Sequence, residues 1–326
     1  MERQEAIYGV ECPAHIKIEI TDLREEIARI EILLGNSLSS DTGEQSLYSI
    51  AHPVAREIAA LSEQLSDAEA RTDWAKWTKI GVRILALDPN HQPTRYAIAS
   101  VFYKRGLELR TDKKYDAAIR SFSKSIHFVQ DNANYFAERA FTYYLKNDYY
   151  NSITDYNRAI EIDKNDARYY EGRGSSYEIA ALFHHPIGSY SHAISDLNRA
   201  IELAPDNADY YHARGAIHSN KRDLKRAIID FNRAIEINPY YSAAYYSRGF
   251  AYVRCLKYQL ALEDYNKAIE IDSLDGTFYA FRGNTYLDMG QVDAARRDYE
   301  QAIALGYVRA ERDIEKLLLK YYKKRT

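Results

Sequence analysis

Small and apolar residues recur along most of the chain at the spacing of amphipathic helices. In residues 242–275 they stand at Tyr245, Gly249, Tyr252 and Val253 and, after a polar turn, at Leu260, Ala261, Tyr265, Ala268 and Ile269. Steps of three and four residues place such side chains on one face of a helix. The pattern therefore predicts two antiparallel helices joined by a short turn.

This helix pair is repeated along the chain. Equivalent isoleucines stand at Ile126, Ile160, Ile201, Ile235, Ile269 and Ile303, at intervals of 34 residues with one interval of 41. A unit of this length cannot bury its own apolar face, so neighbouring units must stack on one another. The sequence predicts an all-α fold in which helix pairs form a solenoid.

The repeated positions resemble the tetratricopeptide repeat. Tyr245, Gly249 and Tyr252 match its first helix, and Ala261, Tyr265 and Ala268 match its second. The resemblance implies an α-α superhelical solenoid with a concave groove lined by the first helices. The pattern predicts five units, at 133–166, 167–207, 208–241, 242–275 and 276–309.

Two charged positions recur in all five units. An arginine precedes the small residue of the first helix at Arg139, Arg173, Arg214, Arg248 and Arg282, and an aspartate opens the second-helix motif at Asp155, Asp196, Asp230, Asp264 and Asp298. Enzymes seldom copy an active site along a solenoid. We therefore interpret these residues as ion pairs between adjoining helices, with a structural role.

Two regions depart from the regular period by seven residues. Residues 92–132 are predicted to form a divergent repeat whose first helix runs on through Leu109. Residues 167–207 carry the second insertion, where Pro186 and Gly188 must break a longer helix. Its tip at residues 183–185 (Phe183, His184, His185) is either a secondary contact for a partner or a solvated extension, and no metal site is predicted there.

The two ends of the chain are predicted to extend the solenoid. Residues 1–46 are predicted to hold a heptad helix over 16–34 and a flexible connector. Residues 47–91 are predicted to form a degenerate helical pair that acts as a cap, and residues 310–326 are predicted to form a C-terminal capping helix. The heptad helix either packs on residues 47–69 or pairs with a second copy of the chain. The second possibility would make the protein a self-assembling structural protein, as a homodimer.

Groove residues follow from the resemblance to the repeat family. Its groove-facing positions correspond to Tyr144, Arg168, Glu171, His212, Tyr246, Phe250, Arg254, Asn284 and Asp288. Members that grip a chaperone C-terminus use Lys and Asn where this chain has Glu171, His212 and Tyr246, so a chaperone C-terminus is disfavoured. Tyr246, Phe250 and Arg254 are predicted either to form an aromatic and cationic ridge for a partner or to shield the groove floor.

Composition narrows the classes of function. A net charge of -3 and a pI near 6.3 argue against a nucleic-acid or anionic-membrane partner. Phosphate loops, zinc-binding motifs and nucleophile elbows are absent from the sequence, so neither an enzyme nor a cofactor is predicted. We expect a cytoplasmic, non-catalytic scaffold that binds a protein or peptide segment in the groove.

Overall fold

The computed structural model describes residues 54–66 and 74–307, and every regular element in these ranges is an α-helix. The helices are α1 (54–66), α2 (Trp74–Leu87), α3 (Gln92–Thr111), α4 (Tyr115–Phe128), α5 (Ala133–Leu145), α6 (Tyr149–Ile162), α7 (Ala167–Leu182), α8 (Tyr190–Leu203), α9 (Ala208–Asn220), α10 (Leu224–Ile237), α11 (Ser242–Arg254), α12 (Tyr258–Ile271), α13 (Gly276–Asp288) and α14 (Val292–Ala304). The predicted all-α class is confirmed. The chain divides into two compact units, the first ending at Tyr135 and the second beginning at Phe136.

The first unit contains the divergent repeat. Helix α3 continues through Leu109 to Thr111. A glycine of α3, Gly106, lies against the ring of Phe122 in α4. Before this repeat, an apolar core joins α1, α2 and α3 through Leu61, Leu65, Ile80, Ile84 and Ile98. The predicted degenerate pair therefore has two helices, α1 and α2, within the described part of 47–91.

The second unit is an α-α superhelical solenoid of helix pairs. Its first helices are α5, α7, α9, α11 and α13, and its second helices are α6, α8, α10, α12 and α14. Asx side chains cap many of these helices, because their oxygens accept from backbone N–H groups that have no partner inside the helix; examples are Asp166, Asn207 and Asp275. The two helices of a regular pair are joined by three residues, one of which has a left-handed backbone conformation, as at Arg222 and Gly290.

Small residues of the first helices receive large side chains from the second. A Cβ on Gly215 would lie 2.7 Å from Phe231 Cε1, and one on Gly249 would lie 2.9 Å from Tyr265 Cε1. The unit 133–166 has Ala140 at this position, and its aromatic residue, Tyr156, lies instead against Gly172 of the next unit.

The repeated ion pairs are confirmed in all five units. The shortest Arg-to-Asp distance in each pair is 2.6 to 2.7 Å, and both carboxylate oxygens accept from the guanidinium. The remaining amino group donates to an asparagine in the second helix of the preceding unit, at Asn157, Asn198, Asn232 and Asn266. We call this arrangement the Arg–Asp–Asn ladder. Four of the five arginines, from Arg173 to Arg282, thus join three helices each, two of their own unit and one of the unit before.

Several sequence predictions lie outside the described residues. They are the heptad helix at 16–34, the connector at 35–46, the part of the cap at 47–53 and the capping helix at 310–326. Among the residues that the structure describes, no helix is long and apolar enough to cross a membrane.

Candidate protein-interaction face

Successive first helices of the second unit contact each other through side chains. Asn220 Nδ2 on α9 donates to Glu178 Oε1 on α7 at 3.2 Å, and His212 Nε2 on α9 shares a hydrogen bond of 2.9 Å with Ser247 Oγ on α11. Phe250 on α11 contacts Phe281 on α13. These contacts make one continuous surface, which we call the first-helix face, formed by Tyr144, Glu171, Ser175, Glu178, Asp209, His212, Asn220, Tyr246, Phe250 and Phe281.

One end of the first-helix face is acidic. Glu171 accepts a hydrogen bond from Ser175 Oγ at 2.9 Å, and Glu178 accepts the one from Asn220. Burial raises the pKa of both carboxyls, that of Glu178 to about 7, and the charge of Glu171 adds to the shift of Glu178. Neither carboxylate has a salt-bridge partner within residues 54–66 and 74–307. This region attracts a cation and is itself most stable when protonated.

At the middle of the face, beside Asp209, His212 contributes an uncharged imidazole. His212 lies between the rings of Phe231 and Tyr241, with centroids 5.7 and 5.1 Å away. Burial lowers the pKa of His212, so the imidazole is uncharged near neutral pH. His212 thus connects α9 to α11 through Ser247 without adding a positive charge that would offset the glutamates.

The other end of the face is aromatic. Tyr246 packs on Phe278 and on the edge of Phe281, with centroids 5.6 and 5.1 Å apart, and Phe250 meets the same ring of Phe281 at 5.8 Å. We call these four residues, Tyr246, Phe250, Phe278 and Phe281, the aromatic cluster. Phe250 is 38% exposed, whereas Phe278 is buried. Sequence reasoning identified Tyr246 and Phe250 but missed both phenylalanines of α13, because neither lies at a position taken as groove-facing.

Three of the residues predicted for the groove make structural contacts. Arg254 Nη1 donates to Ser219 O at 2.8 Å and so closes the end of α9, while its guanidinium lies 5.9 Å from the Phe250 ring centroid. Arg168 is bound to Asp166, the cap of its own helix. Asn284 accepts from the Tyr299 hydroxyl at 2.6 Å.

The other predicted residues are distributed along the unit. Tyr144 is half-buried, and its ring stacks on Phe141 of the same helix. Asp288 is exposed at the last position of α13. The structure thus groups Glu171 with its neighbours at one end of the face, and Tyr246 with Phe250 at the other.

The insertion of the second repeat folds back on α7. Ser189 N donates to Tyr177 O at 3.1 Å, and His185 N donates to Ala180 O at 2.8 Å. Phe183 is the C-cap residue of α7 and is 69% exposed, and His184 has a left-handed backbone conformation. The ring of His185 meets that of Tyr149 edge-on at 6.1 Å. In the part of the chain that the structure describes, no group of His, Cys, Asp and Glu has the arrangement of a metal site.

Stacked helix pairs, a ladder repeated in each pair and a varied first-helix face define a helical-repeat protein of the solenoid class. Models of the tetratricopeptide repeat match residues 242–273 and, separately, 208–241 and 277–305, and a model of the TPR repeat matches 141–178 and 186–221. Residues 141–305 therefore belong to the tetratricopeptide-repeat family.

Solved structures show the same fold. A tetratricopeptide repeat protein from Parabacteroides merdae is similar at 18% identity over 81% of this chain and 98% of its own, with a TM-score of 0.52. PilF of Pseudomonas aeruginosa aligns over 65% of this chain and 93% of its own at 14% identity, with a TM-score of 0.55. A chain of the APC/C hetero-tetramer Cut9–Hcn1 aligns over 79% of this chain and 55% of its own at 18% identity, also with a TM-score of 0.55. No curated protein sequence matches the chain significantly.

Proposed function

We propose that the second unit is a non-catalytic scaffold that binds an extended protein segment along the first-helix face. Tetratricopeptide repeats generally serve as protein-interaction scaffolds, and the observation that carries the finer proposal is the continuity of this face. Contacts from α7 to α9, α9 to α11 and α11 to α13 leave one surface on which a single segment can lie. The segment follows the succession of first helices.

The glutamate end of the face selects a basic side chain. Glu171 and Glu178 have no cation among the described residues, and burial disfavours their ionised forms. A Lys or Arg of a bound segment would supply the missing positive charge and a hydrogen-bond donor. Carboxyls with a raised pKa and no salt-bridge partner are typical of functional sites. The bound segment therefore carries a basic residue that contacts Glu171 and Glu178.

A peptide-display selection tests this proposal on the full chain. The probe is a library of random extended peptides, and the expected result is enrichment of peptides that contain Lys or Arg. The double substitution Glu171→Gln and Glu178→Gln keeps the size of both side chains and their ability to accept hydrogen bonds, and it should weaken the selected peptides by on the order of tenfold or more. Affinity of the unmodified chain should also fall as the pH drops below the pKa of Glu178, about 7.

A control double substitution separates groove binding from general charge effects. Glu202→Gln and Glu236→Gln remove the same charge from the second helices α8 and α10, where both side chains are exposed and pair with an arginine. Their binding should match that of the unmodified chain. Failure to enrich any peptide, or an equal loss in both double variants, would overturn the proposal.

A further inference from the structure

A buried hydroxyl beneath the aromatic cluster lacks a hydrogen-bond partner. Tyr265 of α12 is completely buried, and its hydroxyl has no partner among the described residues. Burial raises the pKa of Tyr265, and the nearby Thr285 lowers it by a smaller amount. The hydroxyl of Thr285 donates to Phe281 O, and the hydroxyls of Thr285 and Tyr265 do not meet in hydrogen-bond geometry. A buried polar group without a partner destabilises a fold. This residue therefore calls for a physical explanation.

The next repeat shows how the same tyrosine is normally satisfied. Tyr299 lies one period of 34 residues after Tyr265, and both rings pack on a first-helix glycine, Gly283 and Gly249 respectively. The hydroxyl of Tyr299 donates to Asn284 Oδ1 at 2.6 Å. One period before Asn284 stands Phe250. In the 242–275 repeat a phenylalanine therefore stands where the next repeat has the acceptor of this hydrogen bond.

Two other repeats avoid the difficulty in a different way. The residues equivalent to Tyr265 are Leu197 in the second repeat and Phe231 in the third, and neither has a hydroxyl. The 133–166 and 242–275 repeats keep both a tyrosine and a phenylalanine, Tyr156 with Phe141 and Tyr265 with Phe250. Tyr156 lies against Gly172 of the following repeat, and among the described residues only the hydroxyl of Tyr265 is buried without a partner. Phe250 remains 38% exposed on the first-helix face. Packing on Phe281 and Arg254 accounts for the buried part of Phe250, but not for the part that stays exposed.

We propose that Phe250 is the apolar anchor of the first-helix face, occupied by an aliphatic or aromatic side chain of the bound segment. This inference rests on the proposed function and names the second chemical feature that the segment must carry. Phe250 presents its ring beside Phe281 and Tyr246, so a side chain placed there contacts aromatic groups on two successive first helices. Partly exposed aromatic clusters of this kind dominate binding energy at protein interfaces.

The spacing of the two features describes the partner further. Glu178 lies on α7 and Phe250 on α11, with only α9 between them in the series of first helices. Packed helices lie roughly 10 Å apart, so the two sites are separated by about 20 Å, or about six residues of extended chain. The partner is therefore an extended protein segment with a basic residue and an apolar residue about six positions apart.

A thermal-stability cycle tests the hydroxyl argument without any ligand. Phe250→Asn should restore the missing acceptor and raise the Tm by about 2–4 °C. The same change should give no increase in a Tyr265→Phe background, because the hydroxyl is then gone. Tyr265→Phe alone should leave the Tm unchanged or higher, whereas Tyr299→Phe should lower it. A Tm that falls equally on Phe250→Asn in both backgrounds would overturn the explanation.

A binding measurement with the display-selected peptides tests the role of Phe250 as an anchor. Phe250→Asn should lower the affinity for these peptides at least tenfold, although we expect the variant to be more stable than the unmodified chain. The matched control is Ile229→Asn on the second helix α10, where the isoleucine is 64% exposed and binding should not change.

The outcomes separate this inference from the proposed function. If peptide binding depends on Glu171 and Glu178 but not on Phe250, the scaffold proposal stands and the anchor role of Phe250 is overturned. A library that yields no peptides would overturn both, since the anchor needs a segment to hold. A mass in solution that shows dimers of the unmodified chain and monomers of Phe250→Asn would make a second copy of the chain the occupant and contradict a peptide partner.

Discussion

The Arg–Asp–Asn ladder and the first-helix face belong to the same helices but follow opposite rules. The ladder uses the same Arg–Asp pair in all five units, and its shortest Arg–Asp distance is 2.6 to 2.7 Å throughout. Along the first-helix face, equivalent positions hold different residues, such as Ser175, Phe250 and Asn284. Positions that repeat hold the solenoid together, and positions that vary are free to specify a partner.

The ladder should dominate stability when it is broken from one side. Burial raises the pKa of Asp264 even though Arg248 bonds to it, so the attraction does not fully offset the loss of solvation. Removing one partner leaves the other charge buried and alone. Asp264→Ala should lower the free energy of unfolding by about 3–5 kcal/mol in urea denaturation followed by circular dichroism.

An exposed ion pair is the control for this prediction. Glu236→Ala breaks the pair between Arg233 and Glu236 on the solvent side of α10. Its effect should stay within about 1 kcal/mol. Equal effects of the two substitutions would remove the distinction between ladder and surface.

A smaller loss is expected where one repeat departs from the common packing. A Cβ on Gly172 would lie 2.3 Å from Tyr156 Cζ, so Gly172→Ala must displace a buried ring. We expect a loss of about 1–3 kcal/mol, despite the better helix propensity of alanine. In Gly81→Ala the nearest atom is Ile98 Cδ1 at 3.5 Å, and that variant should be no less stable than the unmodified chain. The same denaturation experiment measures both.

Removing the charge of Glu178 should raise the stability of the fold, whereas breaking the ladder should lower it. Its folded pKa of about 7 lies above the unfolded value of about 4.3, so between these pH values the native state binds more protons than the unfolded state. Stability from this group is present at low pH and declines as the pH rises through that window. Glu178→Gln should therefore raise the free energy of unfolding above pH 7 by about 1–2 kcal/mol.

The pH dependence supplies the check on Glu178. Unfolding curves of the unmodified chain and of Glu178→Gln should converge toward pH 4, where the carboxyl is protonated in both states. A variant that is less stable than the unmodified chain at every pH would show that the ionised carboxylate stabilises the fold, contrary to this prediction.

The smallest effect is expected at the asparagine of the ladder. Asn232 accepts from Arg248 Nη1 at 2.7 Å, and the arginine keeps both bonds to Asp264 when this acceptor is removed. Asn232→Ala should lower the free energy of unfolding by about 1 kcal/mol. A loss as large as that of Asp264→Ala would mean that the link between repeats, rather than the ion pair, sets the stability.

The repeated features were accessible from the sequence because each appears several times. Arg248 and Asp264 recur at the same spacing in five units, which was enough to predict the pair. Asn232 recurs almost as often, but its partner belongs to the following repeat, and linear spacing does not indicate which helix faces it. The extension of α3 followed from the seven added residues, since about two turns preserve the helix face.

The varied features needed three-dimensional contacts. Arg254 was grouped with Phe250 on helical spacing, yet it also holds the last turn of α9 through Ser219. The unpaired hydroxyl of Tyr265 is an absence, and it becomes visible only beside the satisfied Tyr299. Groove binding itself remains a prediction, because the identity of a partner depends on a few side chains whose neighbours are set by packing.

The ladder also bears on how an array of this kind changes length. Four of the five arginines bond to the asparagine of the preceding unit, so a unit such as 242–275 carries one partner of this hydrogen bond for each of its two neighbours. A duplicated segment of 34 residues, such as a second copy of 242–275, brings both partners with it and meets compatible neighbours at each end. Gene duplication can therefore lengthen the solenoid by whole repeats without inventing a new interface, and selection can then alter the first-helix face of the added copy.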